Sequence, residues 1–469
     1  MAIDLNATKS YDPSEAELQP LLRNLQGHIL RGHDRANTLN LFLRFTAGPD
    51  AVRAALKPLL DMLVMSAAEQ EQPGAKDAVA GNFFLSVGGY RKLGFSDAQI
   101  KTLLPEKPGG FNLQSNFFDG MKQHTSERAD RASKDWQKEY RDEIDALLLL
   151  AHDDKARLDE CRASVKDKLG AVAQFPVEEW GLVYRKDNVR FEHFGFADGG
   201  SQPLFFKDQL EAAGTTKFWS PLAPLSVVLF EDRAAGTENA YGSFYVFRKL
   251  EQNVRGFRLR EKSLAEELGF TGTDKELVGA MAVGRFRDGT PLALSSQPGM
   301  GAGVNDFNYN DSSDRCPFHA HIRKVNPRGD LAHRIGHSTE TAELPHRLVR
   351  RGIPYGQRAA NPWEEQSLDQ LPEDGVGLLF ACFQASIANQ FALVQASWVN
   401  RADFLPDSRA GIDPVIGSSD AGTINQWNTQ WGGGKKPKPA TFGKFVTFLG
   451  GEFLFAPSMP FLRLLAPPA

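Results

Sequence analysis

Cysteine is scarce in this chain of 469 residues: Cys161, Cys316 and Cys382 are odd in number, far apart and in no CxxC pair. That suits a reducing compartment better than a disulfide framework. Long apolar runs are missing too. No stretch offers the roughly twenty uninterrupted apolar residues of a membrane-crossing helix, and the first thirty residues have no basic start followed by an apolar core. A cytoplasmic protein without a membrane partner is expected, with unconventional export left open. Charge of one sign is also lacking: the net charge is -4, which gives no electrostatic reason to expect nucleic acid. Tyrosine is rare, at eight residues against 33 phenylalanines. Core packing accounts for most of that phenylalanine, and a large apolar pocket would draw on the same residues.

The length exceeds what one hydrophobic core usually supports, so two domains or two tightly joined halves are expected. Leu39–Phe45 alternates like a half-buried strand, and Ala51–Met65 carries apolar residues at helical spacing. Asn82–Val87 and Ala146–Ala151 read as strands, Lys155–Leu169 as a helix with Leu158, Cys161 and Val165 on one face, and Trp180–Arg185 as a fourth strand. This is a βαββαβ order. Ser243–Phe247, a helical stretch through Leu268, Gly377–Phe383, a helix-like run through Trp398 and Glu452–Ala456 repeat it in pattern. The expected class is α+β: two ferredoxin-like (βαββαβ) halves, each an antiparallel sheet with helices, divided as residues 1–194 and 195–469. Glu106–Gln123, Ser296–Asp314 and Gly432–Pro439 are rich in residues that break both periodicities and read as loops. The last lacks the Ser or Thr of a phosphate-binding GxxxxGK[ST] loop.

Three segments carry candidate chemistry. In Gly195-Phe196-Ala197-Asp198-Gly199-Gly200-Ser201-Gln202-Pro203 the glycines allow positive φ and close approach to a flat ligand, with one carboxylate held among them. In Cys316-Pro317-Phe318-His319-Ala320-His321-Ile322-Arg323-Lys324-Val325-Asn326-Pro327-Arg328 an imidazole could ligate iron axially, with arginines beyond it for carboxylates at a porphyrin rim. A zinc site drawn from Cys316, His319, His321, His333 and His337 lacks a structural-zinc spacing. In Arg347-Leu348-Val349-Arg350-Arg351-Gly352-Ile353-Pro354-Tyr355-Gly356 the Gly and Pro fix a turn. Neighbours on an extended segment point to opposite faces, so Arg350 and Arg351 cannot face the same way there.

Together, and in this order, these segments resemble the dye-decolorizing peroxidases, with their GxxDG, AHIRKxNPR-like and RRGIPYG-like motifs. The resemblance runs directly from Gly195 to Gly356, and more weakly to LLFACFQ and beyond and back to LQGHILRGH; the length is similar to that of the larger, advanced subgroup. It implies haem b (iron protoporphyrin IX) between the sheet and helices of the C-terminal half, with His321 as iron ligand and Asp198 and Arg350 as catalytic residues. Gly199, Gly200, Ser201 and Gln202 would adjoin the cofactor. Arg328, and more weakly Arg323, would meet haem propionates. Leu378 and Phe380 would line the peroxide side, and Asp413 of DPVIG would partner His321, although an aspartate before proline also suits a plain turn. Tyr355 is a candidate surface electron relay, with Trp427 and Trp431 further candidates.

The implied activity is oxidation of aromatic donors (dyes, phenolics) by hydrogen peroxide through a high-valent iron-oxo intermediate, in a monomer or homodimer. A non-catalytic haem carrier, an iron-releasing protein and a ferredoxin-like interaction scaffold are the alternatives. An aspartate, which ordinarily titrates at about pH 3.9, stays ionised in mild acid, where a histidine is protonated below about pH 6.5, so turnover is expected to persist at acidic pH.

Overall fold

The alternation at Leu39–Phe45 becomes β1 (Asn37–Phe45), and the helical spacing after it becomes α1 (Pro49–Leu63). Pro49 lies in the first turn, where its missing N–H leaves no bond unmade, and Val52, Leu56, Leu59, Leu60 and Leu63 form the buried stripe. β2 (Ala80–Leu85), β3 (Ala146–His152), α2 (Lys155–Leu169) and β4 (Ala173–Leu182) complete the first βαββαβ set. α2 begins where the Asp154 side chain accepts the Ala156 N–H at 2.9 Å. β4 starts well before the expected Trp180. Pro176 within it is tolerated because β4 ends the hydrogen-bonded order. Tyr184 already belongs to a separate three-stranded sheet of β5 (Tyr184–Lys186), β6 (Val189–Phe191) and β7 (Ala197–Asp198). This computed structural model describes residues 3–105, 116–126, 128–214, 216–309, 313–334, 340–404, 410–418, 423–433 and 436–465.

The second half contains β8 (Phe230–Glu231), β9 (Tyr241–Gln252), α3 (Val254–Leu268), α4 (Glu276–Val283), α5 (His321–Val325), β10 (Val349–Arg350), β11 (Ile353–Tyr355) and β12 (Gly377–Gln384). The run after β12, expected as a helix, is wound as π-helix at Ala388–Ala392 and Val394–Val399. β13 (Ile424–Trp427) and β14 (Lys438–Thr441) pair with each other, and β15 (Val446–Ala456) closes the half. Two expected loops hold structure. Asn116–Asp119 and Met121–His124 are helical turns within Glu106–Gln123, whose residues 106–115 lie outside the described set, and β14 begins inside Gly432–Pro439. Ser296–Asp314 is irregular throughout its described part.

Ten strands form one sheet in the order β10-β12-β9-β15-β2-β3-β1-β4, with β11 also on β12 and β8 on β9. Counted within its own half, each set has the ferredoxin-like order of second, third, first, fourth strand: β2-β3-β1-β4, and β10/β11-β12-β9-β15. The duplication expected from pattern is therefore present in topology. The halves join where Phe455 of β15 pairs with Leu85 of β2.

The sheet curls on itself. A Cβ on Gly181 of β4 would lie 2.5 Å from Ile353 Cγ2 of β11, although these strands end opposite edges of the order. Phe42 and Phe247, on strands that are not neighbours, meet at 4.8 Å between centroids, and Phe84 stacks on Tyr245 at 4.2 Å. Period-two alternation then gives β9 and β12 an inner face with Tyr245, Phe247 and Leu379, and an outer face with Arg248, Leu250, Leu378 and Phe380.

Candidate active site

The outer face of the second half opens into a cavity. Leu250 and Gln252 of β9, Leu378 and Phe380 of β12 and Phe448 of β15 form its sheet wall, while His321 and Ile322 of α5 with Phe391 and Val394 of the π-helical run form its helix wall. Most of the lining comes from the sheet and helices of the C-terminal half, with Asp130, Arg131, Glu192 and Phe194 added from the first.

His321 stands at the first position of α5. Its Nδ1 lies 2.7 Å from Asp413 Oδ2, and because a carboxylate only accepts, the ring proton sits on Nδ1. Among the described residues no protein group bonds Nε2. Asp413 is 1% exposed; its other oxygen accepts the N–H groups of Val415 at 2.7 Å and Ile416 at 3.0 Å. The DPVIG aspartate is thus both turn former and histidine partner.

Asp198 of β7 and Arg350 of β10 line the same cavity. Two parallel bonds join them, Nη1 to Oδ2 at 3.1 Å and Nη2 to Oδ1 at 2.5 Å, the fork geometry that suits guanidinium and carboxylate. Both keep about a quarter of their side-chain surface, 23% for Asp198 and 26% for Arg350. Burial alone would push the Asp198 carboxyl up, but the charge and hydrogen bonds of Arg350 outweigh it and hold it below the ordinary 3.8. The same pairing raises Arg350 against its burial. Arg350 and Arg351 do point apart. In the antiparallel ladder Arg350 faces Cys382, while Arg351 turns inward to donate to the carbonyls of His28 at 2.9 Å and Ile29 at 3.0 Å.

The loop after Asp198 follows the expected need for glycine. Gly199 has φ +79° with open space around it, and a Cβ on Gly195, at φ +93°, would sit 2.8 Å from the Pro362 carbonyl. Gln202 accepts the Arg350 N–H at 3.0 Å. Gly200 and Ser201 line the cavity.

Some expected residues sit elsewhere. Arg323 is fully buried, forked onto Asp330 at 2.7 and 2.8 Å and packed on Phe318 and Tyr309; its guanidinium is committed to the interior and does not line the cavity. Arg328 bonds Asn305, Phe307 and Ser201 and stacks on Trp219 at 4.0 Å. It also stays off the lining, whereas Arg347, which stacks on the same Trp219 at 4.8 Å, is on it. Burial pulls Arg328 down to about 9 and Arg347 to about 10, so both remain cationic at neutral pH. Tyr355 is no surface residue: it is 7% exposed, because β11 turns it onto the core beside Lys249. Trp427 is wholly buried and packs on His319 at 4.5 Å, while Trp431 is half-buried. His319, pushed down to about 3 by burial, is a core residue. No group of three metal-ligating side chains occurs among the described residues; His337 and the His333 side chain lie outside them. Trp219 and the cavity role of Arg347 escaped the sequence reading; only the clustering of Arg347 with Arg350 and Arg351 hinted at the latter.

The arrangement fits an iron porphyrin. One imidazole has an oriented nitrogen without a described protein partner, the sheet wall is mostly apolar, and Arg347 lines the cavity with its Nε buried and without a hydrogen-bond partner among the described residues.

No family model matches the chain. It is 37% identical to the multifunctional dye peroxidase DyP2 of Amycolatopsis sp., over 99% of this chain and all of that one. Its structure is similar to that of a DyP-type peroxidase from Anabaena sp., with TM-score 0.88 and 35% identity, covering 99% of this chain and all of that one. A fungal DyP-type peroxidase from Auricularia auricula-judae shares the fold at TM-score 0.76 and 24% identity, covering 95% of this chain and 99% of that one.

Proposed function

The chain belongs to the dye-decolorizing peroxidase family, and from that premise we propose that haem b is its resident group, held by His321, and that Asp198 with Arg350 cleaves the peroxide. Members of the family are haem enzymes, and this chain is an oxidoreductase that takes hydrogen peroxide as acceptor and oxidises dyes and phenolics. Bound haem supplies the redox chemistry, receiving the oxidising equivalents of peroxide and passing them to donors.

The protein's own groups do the rest. His321 offers Nε2 to the metal while its Nδ1–H donates to Asp413, which fixes the tautomer and makes the ring a stronger donor. A carboxylate oxygen of Asp198 would take one peroxide proton and pass it to the oxygen that departs as water, the two electrons for breaking the O–O bond being what the haem held by His321 would supply. Its bonds to Arg350 leave lone pairs free for this. Arg350 keeps its charge where the departing oxygen gains electron density. Arg347, with Arg328 on the same tryptophan, supplies positive charge for the propionates. Leu378 and Phe380 keep bulky donors out, so large dyes give up electrons at the surface; of the three aromatics singled out in the sequence, only Trp431 reaches it.

We read residues 1–194 and 195–469 as the two units of a monomer or homodimer in the cytoplasm. No described helix is long and apolar enough to cross a membrane.

The observation that carries this reading is one cavity with an Asp413-oriented imidazole on its helix wall and the Asp198–Arg350 fork also lining it. Rapid mixing of the haem-loaded protein with peroxide tests it. The Soret band is expected to shift in the wild type, and His321→Ala to lose the haem or its native spectrum. A band that stays still on adding peroxide would favour haem carriage instead.

A further inference from the structure

A second cavity, of about 570 Å³, opens on the inner face of the curled sheet. The segment from His28 to Arg35 walls one side, and the Asp187-Asn188 turn between β5 and β6 stands at its rim. It shares Asp198, Arg350, Gln202 and Trp219 with the haem-side cavity, so the catalytic pair is approached from here as well. Hydrogen peroxide needs little more room than water, whose share of liquid volume is about 30 Å³. The volume instead matches a site for an organic molecule, for which roughly 300–1,000 Å³ is usual.

Its polar groups form a set. The His33 N–H donates to His28 Nδ1 at 3.1 Å, and the Arg35 N–H donates to His33 Nδ1 at 3.0 Å. In both rings the proton is therefore on Nε2. The rings stack at 4.2 Å, and neither Nε2 has a protein partner among the described residues. Burial keeps both imidazoles neutral, His28 well below its ordinary 6.5 and His33 down to about 3. Beside these two donors lie two guanidiniums with no carboxylate partner among the described residues. Arg35 is 3% exposed and bonds only the carbonyls of Ala75 and Ala78, with Nε and Nη1 unpartnered. Arg351 bonds only main-chain carbonyls. Of the other arginines of the cavity, Arg350 pairs with Asp198 and Arg190 shares Asp34 with Arg185, while Asp187 adds a carboxylate at the rim. Val183, Phe247, Ile353 and Leu379 complete an apolar wall. Buried cations without counter-charge are costly, and an anion in this cavity would relieve that cost.

We propose that this inner cavity binds a small organic carboxylate, its charged end received by the Nε2–H donors of His28 and His33 in the field of Arg35 and Arg351, its apolar body against Val183 and Phe247. An occupant there would stand beside Asp198 and slow the approach of peroxide. That consequence rests on the proposed function; the binding itself does not.

Calorimetric titration of the haem-loaded enzyme with benzoate, against neutral benzyl alcohol, tests the proposal without turnover. Benzoate is expected to bind at one equivalent, at least about tenfold tighter than benzyl alcohol, with the Soret band unmoved. His33→Leu and the cavity-filling Val183→Trp should each weaken it about tenfold or more, a difference of about 1.4 kcal/mol. His33→Gln, which keeps an N–H donor, should hold most of the affinity. Absence of saturable binding, equal affinity for benzyl alcohol, or benzoate affinity unchanged in the folded variants would overturn it. If His33→Leu does not fold, Val183→Trp decides.

Discussion

The two halves share one strand order and use it in opposite ways. In the first half the outer sheet face is filled: Leu56 and Leu59 of α1 and Leu158 and Val165 of α2 belong to the same apolar cluster as Leu39 and Leu148 of the sheet. In the second half α3, which follows β9 as α1 follows β1, packs into a different cluster with Phe194, Phe196 and Phe442. The sheet face left uncovered becomes the haem-side cavity. The helix that would have sealed it is drawn aside, and charged groups occupy what would have been core. Duplicated topology thus yields one half whose outer sheet face is covered and one whose outer sheet face is open.

The sharpest break of this contrast is at the Asp198–Arg350 pair. Asp198→Asn should lower peroxide consumption by about 10²–10⁴-fold, the usual contribution of a positioned base, while leaving the haem spectrum intact. Stopped-flow traces of peroxide loss are the measurement, and an unchanged rate would remove Asp198 from the role of base.

Removing haem should separate the halves. A ligand that binds only the folded state contributes about 4 kcal/mol at a thousandfold excess over its dissociation constant. Haem-free protein should therefore melt lower, and hydrogen exchange should speed up at Ala388–Val399 and α5 while β1, β3 and α2 stay protected.

Two aspartates of the second half give opposite pH signatures. Asp232 is raised to about 6 by burial, against 3.8 when unfolded. The folded state then binds the extra proton between these values, so stability falls as pH rises from about 4 to 6, by about 3 kcal/mol for a shift of this size. Asp232→Asn should flatten that decline in chemical denaturation. Asp198 is depressed, so its contribution is full above 3.8 and is lost as pH falls through its lower folded value. Activity should accordingly survive mild acid.

The smallest effect expected is at the histidine's support. Asp413→Asn should cost about 10–100-fold in haem affinity or turnover, typical of a lost partner to a ligating histidine. Haem titration of the variant checks it.

Much of the scaffold was legible. β1, α1, β2, β3 and α2 were each read within a few residues, because half-buried strands and amphipathic helices write their period into the sequence. β10 and β11 were not: Gly352 and Pro354 argued for a turn, and two short strands on the edge of β12 carry no periodic signal. The π-helical run was expected as ordinary helix, since both windings bury similar residues. At the site, the GxxDG, AHIR and RRGIPYG motifs brought Asp198, His321 and Arg350 to notice. Arg323 and Arg328 share a motif with His321, yet one is locked onto Asp330 and the other onto main chain and Trp219, and a motif does not say which way an arginine turns.

The sequence by itself determined the alternation of strands and helices, the duplication and the residue types able to do haem chemistry, because these depend on local periodicity and on short motifs. Tertiary structure alone decided that β4 and β11 meet to curl the sheet, that Asp413 reaches His321 across 92 positions, and that His28 and His33 wall a second cavity. Contacts of that range follow from how faces pack, and no single stretch of chain encodes them.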